Sequence, residues 1–367
     1  MGPIHPSGRM PLRAGSARSQ AGAALLTAMV IVTLVTTIAA SMVWQQWRSV
    51  QVEAAERSLV QSQWLLVGAL DYGRIILRSH DQGKPDHLGE PWALGLAETR
   101  ISSLLAADKD NTDDAPDAFL SGNLVDATSR YNLFNLFIRS APGTLQNPHE
   151  IDQMQLQVLK QLCQYATVSP GLADALAQAM RRALLAIDAP NDAVAMTLLG
   201  GPDGLKTAPL LPQTLDQLVW LGIDAITIER LRPFVIILPE DPSQPGTPTL
   251  VNVNTASREV IASVVPGADL GRAERVIQMR QRKPFENGDD AMKELGINQS
   301  LLPMDPQTQQ NFPVMLTFQS SFFEVKGRLR LEDRVLSQNY LVKRENNKDV
   351  NVLLEERVSG VQPAEGR

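Results

Sequence analysis

A single cysteine, Cys163, stands in a chain of 367 residues. No intrachain disulfide can form, and neither a thiolate zinc cage nor a paired redox motif can be built from this chain alone. Within Val158-Leu159-Lys160-Gln161-Leu162-Cys163 the thiol reads as a small buried apolar residue. Excess positive charge is also missing: 34 Lys and Arg against 40 Asp and Glu give −6 and a pI near 5.4. That removes the global electrostatic footprint of a protein that coats nucleic acid. Aromatic residues make up 5%, charged residues 20% and hydrophobic residues 44%, which excludes a disordered chain, a collagen, a coiled-coil rod and a multi-span membrane protein.

Enzyme signatures are absent too. The four histidines include no His-x-x-x-His pair, and no nucleophile elbow occurs. Gly200-Gly201-Pro202-Asp203-Gly204-Leu205-Lys206-Thr207 imitates a phosphate loop, but Leu205 separates glycine from lysine and Pro202 removes an amide donor. A Pro/Gly surface turn is the expectation there.

What is present begins at the N-terminus. Arg9, Arg13 and Arg18 precede a stretch with no charged side chain before Arg48. The apolar residues 23–44 amount to 22 residues, about 33 Å of helix against a hydrocarbon core of about 30 Å. The basic flank places the N-terminal side in the cytoplasm, and Trp44 and Trp47 sit where interfacial aromatics are found. A cleaved secretory signal is the competing reading, with a shorter apolar core and a small-x-small site. Helical periodicity continues past the span, through Val43, Trp47, Val50, Ala54, Ser58, Leu65, Ala69, Tyr72 and Ile76. One helix is therefore predicted over Ala23–Arg78, 56 residues and about 84 Å long.

Beyond Ser79-His80-Asp81-Gln82-Gly83-Lys84-Pro85-Asp86, a strand is expected at Ser121–Val125 with a return strand at Arg130–Leu133. Asp108, Asp110, Asp113, Asp114 and Asp117 crowd the preceding loop. The reading is a solvated acidic loop, with a calcium site on Asp108, Asp110, Asp113 and Asp114 as the alternative, although the EF-hand template fails at Thr112 and Asp113. From Asn147 to about Asn311 the pattern is helical: Ile151–Ala166, Leu172–Ile187, Thr214–Leu221 and Ala225–Leu231. Pro239 to Pro248 reads as an extended linker. Strand alternation returns at Phe322–Leu331, Val335–Lys343 and Val350–Val358.

Val251-Asn252-Val253-Asn254-Thr255-Ala256, followed by Val265-Pro266-Gly267-Ala268-Asp269-Leu270-Gly271 and Lys283-Pro284-Phe285, is similar to the helix-hairpin-helix of competence-type DNA-binding proteins. Arg258, Arg272, Arg275, Arg280, Arg282 and Lys283 against Glu259, Asp269 and Glu274 make the local charge +3. Asp269 stands where the second turn glycine belongs, a carboxylate where a phosphate oxygen would sit. The module is read as a protein-contact element.

The leader Gln20-Ala21-Gly22, then Ala23-Ala24-Leu25-Leu26-Thr27 and a long apolar helix, resembles the class III leader of type IV pilins and type II secretion pseudopilins. The resemblance implies a prepilin peptidase that cuts between Gly22 and Ala23 and methylates the new N-terminus. Most members carry glutamate at the fifth mature position, where this chain has Thr27. Over nearly its whole length the chain is similar to the minor pseudopilin K family, in which that absence is usual and a helical insertion interrupts a pilin-like head. A glutamate in lipid needs a positive partner, so a subunit without it suits a filament tip.

The resemblance implies an α+β fold: a long transmembrane and stalk helix and a pilin-like antiparallel sheet, interrupted by an all-α domain that contains a helix-hairpin-helix (SAM-like) module. The expected division is leader 1–22, span 23–44, stalk 45–79, head 80–140 with 316–367, and insertion 141–315. It also implies a non-enzymatic, inner-membrane protein with a periplasmic bulk. The implied partners are minor pseudopilins I and J, the major pseudopilin, the secretion platform and the peptidase. No cofactor is expected beyond the calcium alternative, and no nucleic acid. A membrane-anchored periplasmic DNA receptor is the other reading.

Overall fold

A computed structural model describes residues 20–81, 83–100, 118–137, 148–240, 247–296, 315–331, 334–345 and 349–361. The chain forms two compact units, Met1–Trp64 and Leu65–Arg367.

The described residues of the first unit are helical throughout. They belong to α1 (Gln20–Arg78), which starts three residues before the expected Ala23 and stops at the expected Arg78. Its large apolar side chains from Leu25 to Val43 are each more than half exposed, and by length and composition the helix can cross a bilayer. The hydroxyls in this apolar run cost little. Thr33, Thr36 and Thr37 donate to carbonyls three or four residues earlier at 2.8–2.9 Å, so their polar atoms are satisfied inside the helix.

In the second unit a five-stranded antiparallel sheet has β1 (Leu96–Arg100) at one edge, then β2 (Ala118–Asp126), β7 (Phe322–Leu331), β8 (Arg334–Glu345) and β9 (Asp349–Val361). Period-two alternation in β7 sends Val325 and Leu329 to one face and Phe322 and Glu324 to the other. On the first face lie the last turns of α1: Leu70 and Leu77 bury against Val325, Val342 and Trp92, and Leu66 against Leu120 and Leu329. Gly73 permits the close approach, since a Cβ there would lie 3.2 Å from Val325 Cγ1. Trp92 meets Phe323 edge-on, with centroids 5.3 Å apart.

Between β2 and β7 the chain is mostly helical. It runs through β3 (Tyr131–Asn132), α2 (Gln153–Tyr165), α3 (Gly171–Asp188), α4 (Ala193–Leu199), α5 (Gly201–Lys206), a 3-10 turn at Leu215–Leu221, α6 (Ala225–Leu231) and β4 (Val235–Ile236). It continues with β5 (Val251–Asn252), α7 (Arg258–Val264), α8 (Leu270–Arg282), α9 (Gly288–Glu294) and β6 (Leu316–Thr317). Tyr131, Leu159, Met180, Leu218, Val260 and Val276 are buried in one apolar cluster, and Cys163 is among them as expected. Burial pushes the Cys163 thiol up to about 11, the state of an inert core residue. A second cluster joins this segment to the far face of the sheet: Ile236, Leu238 and Ala127 pack on Phe322 and Leu341.

Three expectations are corrected. Arg130–Leu133 does not return along β2. Tyr131–Asn132 instead pairs in parallel with Val235–Ile236, and Leu133–Leu136 winds into a 3-10 turn capped by the Asn132 side chain. β2 finds its neighbours in β1, which the sequence reading missed, and in β7. The phosphate-loop imitation is not a plain turn: Gly200 takes φ +89° and ends α4, and Gly201–Lys206 then forms a short helix. Thr214–Leu221 is a 3-10 turn rather than an α-helix. The boundary positions 140–141 and Asn311 lie outside the described residues, as does most of the Pro239–Pro248 linker.

Candidate functional site

The sheet, the exit of α1 and the helical segment meet at a polar seam. Asp126, at the end of β2, is 2% exposed. Its Oδ1 accepts from the Thr128 amide and hydroxyl at 2.8 and 2.6 Å. Its Oδ2 accepts from the Asn252 amide at 3.2 Å and the hydroxyls of Thr255 and Ser320 at 2.5 and 2.6 Å. A buried carboxylate without a cation is tolerable only when its lone pairs are taken up in this way. Burial still pushes the Asp126 carboxyl above its ordinary value, against the pull of the Ser320, Thr128 and Thr255 hydroxyls.

Asp86 is the second carboxylate of the seam, fully buried and paired with Arg344 of β8 at 2.6 and 2.8 Å. It also accepts from the Ser320 amide at 2.7 Å, while its carbonyl accepts from Asn252 at 3.0 Å. Arg344 in turn donates to the Ser320 carbonyl and lies over the Phe323 ring. Asn252 and Ser320 thus bind both acidic residues to one another through the helical segment.

Three buried asparagines, Asn132 and Asn135 after β2 and Asn254 in the Val251–Ala256 phrase, act as backbone clamps. Asn132 Oδ1 accepts from the Leu238 amide at 3.0 Å, and its Nδ2 donates to the Thr249 hydroxyl at 3.0 Å. Asn135 accepts from the Thr249 amide at 2.9 Å and donates to its carbonyl at 2.8 Å. Asn254 holds Phe285 in the same two-bond fashion, at 2.8 and 2.9 Å. Asn254 enters the sequence analysis only within the Val251–Ala256 phrase, without this role, and Asn132 and Asn135 are assigned none there. The signal was there: polar residues recurring inside otherwise apolar runs, where each buried amide must find partners.

α7 and α8 pack together across a turn in which Gly267 takes φ +79°. Asp269 caps α8, accepting from the Arg272 amide at 2.8 Å, so its own carboxylate occupies the helix terminus that a phosphate would need. Of the six cations counted in the local charge of +3, Arg258 pairs with Glu259 and Glu274, Arg272 with Asp269, and Lys283 with Glu286. Arg280 points inward and donates to the carbonyls of Val253 and Ala256, each at 2.7 Å. Burial lowers it to about 10. Arg275 and Arg282 are exposed.

The remaining expected site residues fall in two places. Gly22, Ala23 and Thr27 lie in the opening turns of α1, and the Thr27 hydroxyl lies 3.0 and 2.9 Å from the carbonyls of Ala23 and Ala24. Asp108, Asp110, Asp113 and Asp114 lie outside the described residues.

Two family models, each described as type II secretion system (T2SS), protein K, match the chain in succession, over residues 129–240 and 251–309. The type II secretion system protein K of Pseudomonas aeruginosa is 26% identical over 285 residues, covering 76% of this chain and 78% of that protein. A similar fold occurs in the crystal structure of the GspK-GspI-GspJ complex from the type 2 secretion system of enterotoxigenic Escherichia coli. That likeness has a TM-score of 0.53 at 19% identity and covers 84% of this chain and 99% of that one.

Proposed function

The chain belongs to the type II secretion system protein K family, and from that premise we propose that it is a minor pseudopilin placed at the tip of the periplasmic pseudopilus, where it initiates or caps the filament. The observation that carries this reading is the helical segment between β2 and β7. It adds bulk on the sheet face away from the α1 turns, through Ile236 and Leu238 against Phe322 and Leu341, and both family models fall within Ser129–Gln309.

Anchoring follows from α1. Its exposed apolar run suits a single inner-membrane span with the arginine-bearing end in the cytoplasm and the bulk in the periplasm. Processing is assigned to the Gly22-Ala23 junction. Thr27, satisfied by its own helix, asks for no positive partner in the membrane, which supports a position with nothing stacked above it.

The partners proposed are the minor pseudopilins I and J, by analogy with the complex named for the structural relative, and the role is assembly rather than catalysis. The alternative of a periplasmic DNA receptor receives no support from the relatives, and four of its six candidate cations are engaged within the fold. Full-length protein should copurify with pseudopilins I and J and restore export in a host lacking its own protein K. Failure of both would sink the reading.

A further inference from the structure

Four ionisable side chains are withdrawn from solvent where the chain leaves α1: His80, Asp86, Glu90 and Arg344, with 6%, 0%, 14% and 5% exposure. Asp86 has its cation in Arg344, at 2.6 Å. Glu90 pairs with no lysine or arginine among the described residues, and Lys84 turns to Asp81 instead. What Glu90 does meet is the His80 ring: its Oε1 lies 2.8 Å from Nδ1, while its other oxygen accepts from the Trp92 indole N–H. On the far side of the ring, Nε2 lies 3.2 Å from the Lys84 carbonyl and 3.8 Å from Asp86 Oδ1.

A carbonyl and an ionised carboxylate accept only, so both ring nitrogens are called on to donate. Neutral imidazole has one N–H, and the imidazolium has two. Charge asks for the same state. Asp86 and Glu90 against Arg344 leave one negative charge in excess, which a charged ring cancels. A carboxylate withdrawn from water without a paired cation is costly, and breaking such a pair strands the partner. The other charged groups around the ring divide in sign: Asp81 adds to its attraction, while Lys84 and Arg344 oppose it. His87, the other histidine of this loop, differs, since its Nδ1 accepts from the Gly89 amide at 3.1 Å.

We propose that the fold holds His80 as the imidazolium, a pH-sensitive clasp on the loop that leaves α1, donating to Glu90 from Nδ1 and to the Lys84 carbonyl from Nε2. Loss of one proton leaves a bare nitrogen facing an oxygen, and the clasp opens on that side. The effect reaches the core, because Trp92 follows Glu90 and packs on Phe323, between α1 and the sheet. Its sign follows from linkage. A proton held more firmly by the folded chain than by the unfolded one contributes most stability at low pH, and that contribution is lost as pH rises. The clasp stands apart from the secretion reading, since it concerns only how this loop is held.

Nitrogen NMR of full-length protein in detergent, labelled with 15N-histidine, tests the clasp, the His80 signals being identified by their loss in His80→Gln. Both ring nitrogens should stay protonated at pH values where the histidines of the urea-unfolded chain have lost one proton. The melting temperature of the wild type should exceed that of His80→Gln most at low pH, and the gap should close as pH rises; Asp126, common to both proteins, cancels in this difference. One bare ring nitrogen throughout the same range, with Glu90 carrying the proton, overturns the proposal, and so does a gap that stays constant or widens. Should His80→Gln fail to fold, the signals are identified by elimination with variants of His5, His87 and His149, and Glu90→Gln decides. Loss of the ring proton at a lower pH in Glu90→Gln than in the wild type supports the clasp, and loss at an equal or higher pH overturns it.

Discussion

Asn252 donates its side-chain amide to Asp126 at 3.2 Å, joining the helical segment to the end of β2 across 126 residues of sequence. The same amide reaches the Asp86 carbonyl and the Ser320 hydroxyl, so one buried side chain serves three separate stretches of chain. Such a residue secures the position of the helical segment on the sheet far more than its size suggests, because every partner it leaves would be stranded without water.

Asn252→Ala is therefore expected to destabilise the protein by about 2–4 kcal/mol, the range for breaking a buried polar network. Denaturant unfolding followed by tryptophan fluorescence measures it. A loss below about 0.5 kcal/mol would mean that solvent enters the seam freely.

Asp126 makes a prediction with a sign. Its folded-state value is raised by burial, so between the ordinary value of 3.8 and that higher value the folded protein holds more proton than the unfolded chain. Stability then falls as pH rises through this window and levels off above it. The difference in unfolding free energy between wild type and Asp126→Asn should shift against the wild type on going from pH 3.5 toward neutrality. A difference that moves the other way would show the hydroxyl donors outweighing burial.

Arg280 and Arg275 share α8 but should behave oppositely. Arg280→Met leaves the carbonyls of Val253 and Ala256 unpaired and should cost about 1–3 kcal/mol. Arg275→Ala, at an exposed position, should stay within about 0.5 kcal/mol. Filter binding of the wild type should show no salt-sensitive affinity for DNA. A salt-sensitive affinity abolished by Arg275→Ala would revive the receptor reading.

Gly122 pairs with Gly327 in the centre of the sheet, and a Cβ on it would stand 2.9 Å from the Lys326 carbonyl oxygen. Gly122→Val should force β2 and β7 apart and lower the thermal midpoint by several degrees, roughly what 1–3 kcal/mol produces. An unchanged midpoint would place the strands further apart than they are here.

At the membrane end, Gly22→Leu should leave an unshortened precursor on a gel. Leu26→Arg should disturb membrane retention, by less than the roughly 3 kcal/mol that arginine costs at the centre of a span, because Leu26 stands near the cytoplasmic end and the side chain can snorkel to that face. A mature N-terminus beyond Trp44 would instead favour a cleaved secretory signal.

Local patterning determined a good deal. The charge gap from Arg18 to Arg48 and the unbroken period after it specify α1 to within three residues, because a helix depends on neighbours three and four positions away. Alternation in Phe322–Leu331 specifies β7 for the same kind of reason, and the lone Cys163 is buried as its apolar neighbours require. Partners distant in sequence were decided only by the tertiary structure. Nothing near Tyr131 says that it pairs with Val235, or near Arg280 that it turns inward to Val253 and Ala256. A short strand or a single cation carries no local record of its partner. Which groups meet at the seam of Asp86, Asp126, Asn252 and Ser320 depends on how the helical segment packs, and buried polar groups take their partners from whatever that packing brings within reach.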